Sequence, residues 1–140
     1  MPVTGYTSYR LFGGASDQSG RESGDATNQR VPETVSATTS RKMRGPKANG
    51  HFAVMMRVTS AFGASSLATV WYSILPDPDE TSDADWVQDS NITAVDLTAT
   101  GNTLLNVGNV NAEWVRLKVV RATSDGALWA YGRVEGDDNR

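Results

Sequence analysis

The sequence predicts an all-β domain, an antiparallel β-sandwich or jelly roll with a long, loop-like N-terminal region. Three observations carry that reading. From His51 onward, apolar residues recur with a period of two in short runs about ten residues apart, and Gly, Pro, Asn or Asp bound most runs. No stretch places apolar side chains at i, i+3, i+4 and i+7 behind a plausible helix cap. The length of 140 residues, with 39% apolar side chains, matches one domain.

The elements follow in order. Residues 6–12, Tyr-Thr-Ser-Tyr-Arg-Leu-Phe, make a first strand. Residues 13–50 hold only seven apolar side chains, Ala15, Ala26, Val31, Val35, Ala37, Met43 and Ala48. That density does not offset the entropy of ordering a packed segment, so 13–50 reads as an extended arm or an inserted loop. Fully extended, it would reach on the order of 125 Å. Charge divides at the same place: residues 1–50 carry +3 and residues 51–140 carry −6, within a total of −3.

Residues 51–140 form the main β body. Phe52, Val54, Met56 and Val58 alternate with Ala53, Met55 and Arg57, as one buried face requires. Val70, Tyr72 and Ile74 alternate with Thr69, Trp71 and Ser73 until Pro76 and Pro78 end the run. Residues 92–97 and 103–107 are two shorter strands, and Ser82 to Val87 makes at most one short turn. Val115, Leu117 and Val119 then alternate with Arg116, Lys118 and Arg121, and Leu128, Ala130 and Val134 with Trp129, Tyr131 and Arg133. Between these runs, Thr123-Ser124-Asp125-Gly126 offers the positive φ of a tight turn, which predicts a terminal hairpin.

Catalytic chemistry finds little material. Cysteine is absent, which removes disulfides, thiolate nucleophiles and Cys-type zinc sites. His51 is the single histidine, and its place at a strand start suits a solvated edge residue better than a base. No Gly-x-Ser-x-Gly elbow, phosphate-binding loop or His-Glu-x-x-His is present, and Gly63-Ala64-Ser65-Ser66 reads as a turn. Residues 77–85 gather Asp77, Asp79, Glu80, Asp83 and Asp85, but the EF-hand spacing fails because Ser82 and Gln88 stand where Gly and Glu are required. A solvated, proline-stiffened loop is expected there. No catalytic residue, metal ligand or cofactor is expected.

Binding finds more. Arg41, Lys42, Arg44 and Lys47 form a cluster with no acid among them. The acidic chain, pI about 5.0, and the lack of interleaved aromatics favour an acidic protein surface over nucleic acid as its partner. Trp71, Trp114 and Trp129 fall on strands and read as core or interface anchors. Trp86, beside the acidic stretch, is the one expected to be exposed, and it is the candidate platform for a sugar ring. No membrane span is present, and Met1-Pro2-Val3-Thr4 lacks the features of a secretory leader, so synthesis in the cytosol is expected.

The pattern resembles the cement, or decoration, proteins that coat the heads of tailed phages. Its carriers are Gly50-His51-Phe52-Ala53-Val54-Met55-Met56-Arg57-Val58, Ala68-Thr69-Val70-Trp71-Tyr72-Ser73-Ile74-Leu75-Pro76-Asp77 and Ala112-Glu113-Trp114-Val115-Arg116-Leu117-Lys118-Val119-Val120. Within that family it is most similar to the jelly-roll cement proteins of Bordetella-type short-tailed phages, over nearly the whole chain. The resemblance implies a jelly roll, a homodimer on a two-fold axis bridging neighbouring major capsid proteins, a place on the outer surface of the virion and no enzymatic activity. It transfers no individual residue. Charge and composition nominate Arg41, Lys42, Arg44 and Lys47 for capsid binding and Trp86 as an interface aromatic. The alternative expectation is a glycan- or receptor-binding β-module of a tail fibre.

Overall fold

The computed structural model describes residues 6–12, 37–120 and 127–135. They form ten strands: β1 (Tyr6–Phe12), β2 (Ala37–Thr39), β3 (Met43–Arg44), β4 (Gly50–Ser60), β5 (Leu67–Ser73), β6 (Val87–Gln88), β7 (Val95–Asp96), β8 (Gly101–Val110), β9 (Trp114–Val120) and β10 (Ala127–Glu135). A single 3-10 turn, Asp83–Asp85, interrupts them, capped by the Ser82 hydroxyl accepting from the Ala84 amide.

The strands build two antiparallel sheets. Sheet A runs β1-β10-β4-β8, and sheet B runs β2-β9-β5-β6, with β3 extending the β2 edge and β7 the β6 edge. Counting β2 with β3 and β6 with β7 gives four strand positions per sheet. The chain changes sheet at every connection except that from β5 to β6, which is the winding of an eight-position jelly roll. The all-β sandwich is thus the architecture that period-two alternation predicts.

The core lies between the sheets and follows the pleat. Phe52, Val54, Met56 and Val58 of β4 and Leu128, Ala130 and Val134 of β10 face Ala68 and Val70 of β5 and Val115, Leu117 and Val119 of β9. Phe52 stands edge-on to Tyr72, centroids 6.1 Å apart at 87°, linking the sheets. Leu11, Met43 and Leu97 close the core from the flanks.

Several expectations change. Residues 115–121 and 128–134 do not form a hairpin: β9 pairs with β2, β3 and β5, whereas β10 pairs with β1 and β4. Each strand has one apolar face, and packing those faces against each other across two sheets buries both, which edge pairing would not. The turn expected at 123–126 lies outside the described residues. Of the segment 13–50, residues 13–36 also lie outside them, but residues 37–50 belong to the sandwich: β2 and β3 pair with β9, and Met43 is fully buried. Gly45 lies so close to Ala112 that a Cβ there would stand 2.5 Å from the Ala112 carbonyl oxygen. Sparse apolar content hid this edge because two strands of two and three residues need only Met43 as an anchor. The strand expected over 92–97 shrinks to β7, and Ile74, expected in phase with Val70, lies beyond the end of β5 and is exposed.

Candidate functional site

The acidic stretch 77–85 is not a free loop; it folds onto the outer face of sheet B. Arg116 of β9 is completely buried beneath it. Its guanidinium donates to the Glu80 carbonyl at 2.6 Å and to Asp83 Oδ1 at 2.5 Å, and it lies between the rings of Trp71 and Trp86, 5.0 and 4.8 Å from their centroids. Lys118 Nζ donates to Asp83 Oδ2 and lies over the Trp71 ring, 5.1 Å from its centroid. These hydrogen bonds, Lys118 first and Arg116 second, hold the Asp83 carboxyl below its usual range. Thr81, through its amide and hydroxyl, does the same for Asp79.

This clamp absorbs half of the nominated basic cluster. Lys42 Nζ donates to Asp77 at 2.6 Å and to the Pro78 carbonyl at 2.9 Å, while its amide donates to Glu80 Oε2 at 2.8 Å. Arg44 pairs with Glu113 and lies 4.4 Å from the Trp114 centroid, with Lys42 at 5.0 Å. Arg41 and Lys47 are exposed and form no ion pair among the described residues. The four residues are therefore split, two holding the fold and two facing solvent. Trp86 is the second correction: it is 5% exposed and its indole N–H donates to the Asp79 carbonyl at 2.8 Å. Its ring covers Arg116 and offers no open platform. A chain holding five carboxylates in one loop and a cation cluster before it carried the signal for their mutual pairing.

The outer face of sheet A has a different character. Cross-strand registry puts Leu104, Met55, Tyr131 and Arg10 in one row and Asn102, Arg57 and Trp129 in the next. Arg57 Nε donates to Asn102 Oδ1 at 2.9 Å and its guanidinium sits 5.2 Å from the Trp129 centroid. Trp129 meets Tyr131 edge-on at 5.4 Å. Arg133 lies in the third row, opposite Ala53. Met55, Trp129 and Tyr131 are half-buried, and Leu104 is 61% exposed. Sequence reasoning missed this face although its members are the residues that alternate with the core set.

A third feature is a cleft of about 530 Å³ at the seam between β8 and β5, lined by Tyr72, Asp89, Asn91, Asn106, Asn109 and Asn111 among others. His51 lies outside it on sheet A, its ring against Gly108. Among the described residues no group of three or more His, Asp or Glu side chains could hold a metal ion, and no helix is long and apolar enough to cross a membrane.

No family model and no curated protein matches the sequence. Among solved structures the chain is similar to tripeptidyl peptidase 2, at 12% identity and a TM-score of 0.50 over 95% of this chain. The chain spans about a tenth of that protein, 10% of its length. At that identity the likeness is one of fold.

Proposed function

We propose that the chain is a non-enzymatic structural protein of a tailed-phage head, bound to the outside of the assembled shell and clamping neighbouring major capsid proteins. The observation that supports this best is the outer face of sheet A. It gathers Met55, Trp129, Tyr131 and Leu104 in the same rows as Arg10, Arg57 and Arg133. Tyr, Trp, Met and Arg are the residues enriched at protein interfaces, and Arg with Trp and Tyr dominates their hot spots. The Arg57 guanidinium, held over the Trp129 ring on this face, fits a partner surface that is itself acidic. The sequence resemblance points to the same role, and two copies about a two-fold axis would bridge capsomers symmetrically.

The docking face thus moves from Lys42 and Arg44, which the clamp already uses, to sheet A, with exposed Arg41 and Lys47 as peripheral contacts. The glycan-module alternative no longer rests on Trp86, whose ring is covered. The test is co-sedimentation with heads lacking the protein, at low and high salt. Wild-type protein is expected to bind at a fixed copy number per capsomer and to raise the heat resistance of the heads. Arg57→Glu with Tyr131→Ala is expected to remove binding while leaving a folded protein. Full occupancy by that variant, or no binding of the wild type at either salt, would overturn the proposal.

A further inference from the structure

A cleft opens at the seam between β8 of sheet A and β5 of sheet B. One wall is the C-terminal half of β8 and the turn after it, carrying Asn106, Asn109 and Asn111. The other is Tyr72 of β5 with Asp89 and Asn91 from the loop after β6. Its volume, about 530 Å³, lies within the range of small-molecule sites.

Asp89 is fixed from three directions. Its amide donates to the Val70 carbonyl at 2.9 Å, Oδ2 accepts from the Tyr72 hydroxyl at 2.7 Å, and Oδ1 accepts from the Asn91 amide at 2.9 Å. The Tyr72 ring is itself held edge-on by Phe52. A carboxylate has about four lone-pair positions, so two remain for a ligand, already oriented. The carboxamides of Asn91, Asn109 and Asn111 form no hydrogen bond with any described residue, whereas Asn106, in register with Ala53 and Arg133, belongs to the outer face of sheet A. Each offers two donors and an acceptor. Asn109 sits at φ 60°, a left-handed conformation that Asn tolerates well.

The charge balance selects the ligand. No Lys or Arg lines the cleft, so an anion would face Asp89 with nothing to compensate it. One carboxylate among amides is a poor cage for a hard divalent cation. Neutral hydroxyls meet both needs, donating to Asp89 and accepting from the amides, while Ile92 and Val107 provide apolar surface for ring C–H groups. We infer that this cleft binds a neutral saccharide, with Asp89 accepting from ring hydroxyls and Asn91, Asn109 and Asn111 donating to the ring oxygens around them.

The test is a titration of isotopically labelled protein, without heads, followed through its backbone amide resonances. The probes are glucose, galactose, mannose, N-acetylglucosamine and their β-linked disaccharides, with inorganic phosphate and calcium as competing chemistries. At least one sugar is expected to shift the amides of residues 89–92 and 106–111 saturably. Asn111→Ala, at an exposed site outside every hydrogen bond described, is expected to weaken binding about tenfold with an unchanged melting temperature. Asp89→Asn is expected to weaken it at least as much. Trp86→Ala is expected to leave the sugar affinity of the folded fraction unchanged. No shift with any sugar, shifts that survive both Asn111→Ala and Asp89→Asn, or a stronger response of the same amides to phosphate or calcium would overturn the inference. Head binding can fail while sugar binding holds, and the reverse, so the two readings stand or fall separately.

Discussion

Arg116 donates to the Asp83 carboxylate at 2.5 Å from a fully buried position on β9, while Asp83 itself remains 46% exposed. The two partners therefore contribute unequally. Removing Asp83 leaves Arg116 its bond to the Glu80 carbonyl and its place between two indoles. Removing Arg116 leaves a void against Glu80, Asp83 and the rings of Trp71 and Trp86.

Arg116→Ala is accordingly expected to cost about 2–4 kcal/mol, through lost packing more than lost charge. Arg116→Lys is expected to recover only part of this, because an ammonium neither stacks between Trp71 and Trp86 nor spans both acceptors. Urea unfolding of the two variants, with limited proteolysis of residues 77–88, checks both statements.

Acid should loosen the same clamp. The Asp83 carboxyl titrates near 3.8 when unfolded and below that when folded. Its contribution to stability is thus fully present above about 3.8 and is lost as pH falls through the lower folded value. The difference in urea midpoint between wild type and Asp83→Asn is expected to be constant near neutral pH and to shrink toward zero in strong acid. A difference that grows on acidification would contradict this sign.

The basic cluster should divide under charge reversal. Arg41→Glu and Lys47→Glu are expected to change stability by no more than about 0.5 kcal/mol, as exposed sites do. Lys42→Glu and Arg44→Glu turn attractive pairs with Asp77 and Glu113 repulsive and remove cations from the Trp114 face, so each is expected to cost about 1 kcal/mol or more. Thermal unfolding of the four single variants checks the division.

Two glycines should respond differently to a methyl group. At Gly45 the obstacle is the Ala112 backbone, which cannot yield without breaking the Gly45 amide bond to Glu113 O at 2.9 Å. At Gly132 it is mainly Met43 Sδ, the end of a flexible side chain. Gly132→Ala is expected to cost about 1–3 kcal/mol, and less when combined with Met43→Val than the two single changes predict together. Gly45→Ala is expected to cost more than Gly132→Ala and to find no such partner. Denaturant midpoints of the four variants measure both effects.

The period of two was enough to read β4, β5, β8, β9 and β10, because one buried face imposes it wherever a strand lies. It was not enough to read pairing. A strand with one apolar face looks the same whether its sequence neighbour lies beside it or across the core, so β9 and β10 read as a hairpin. Trp86 was misjudged for a related reason: the acidic run from Asp77 to Asp85 leads into it, and what covers it is Arg116, far along the chain. The sheet A face was legible in principle, since Met55, Arg57, Trp129, Tyr131 and Arg133 are the residues left over once the core set is assigned. The cleft was not, because it joins β5, the loop after β6 and the end of β8, which meet only through the winding of the fold.

That winding also sets when the molecule can exist. β10 lies between β1 and β4, pairing Tyr6 with Glu135 at one edge and Phe52 with Val134 at the other. Until residues 127–135 leave the ribosome, β1 has no neighbour and β4 is open along one side. Sheet A therefore closes only after β10 has been made, and closure joins Tyr6 to Glu135. Such topology folds slowly, in milliseconds to seconds for domains of this kind. Fragments ending before β10 would expose two strand edges at once and aggregate rather than accumulate.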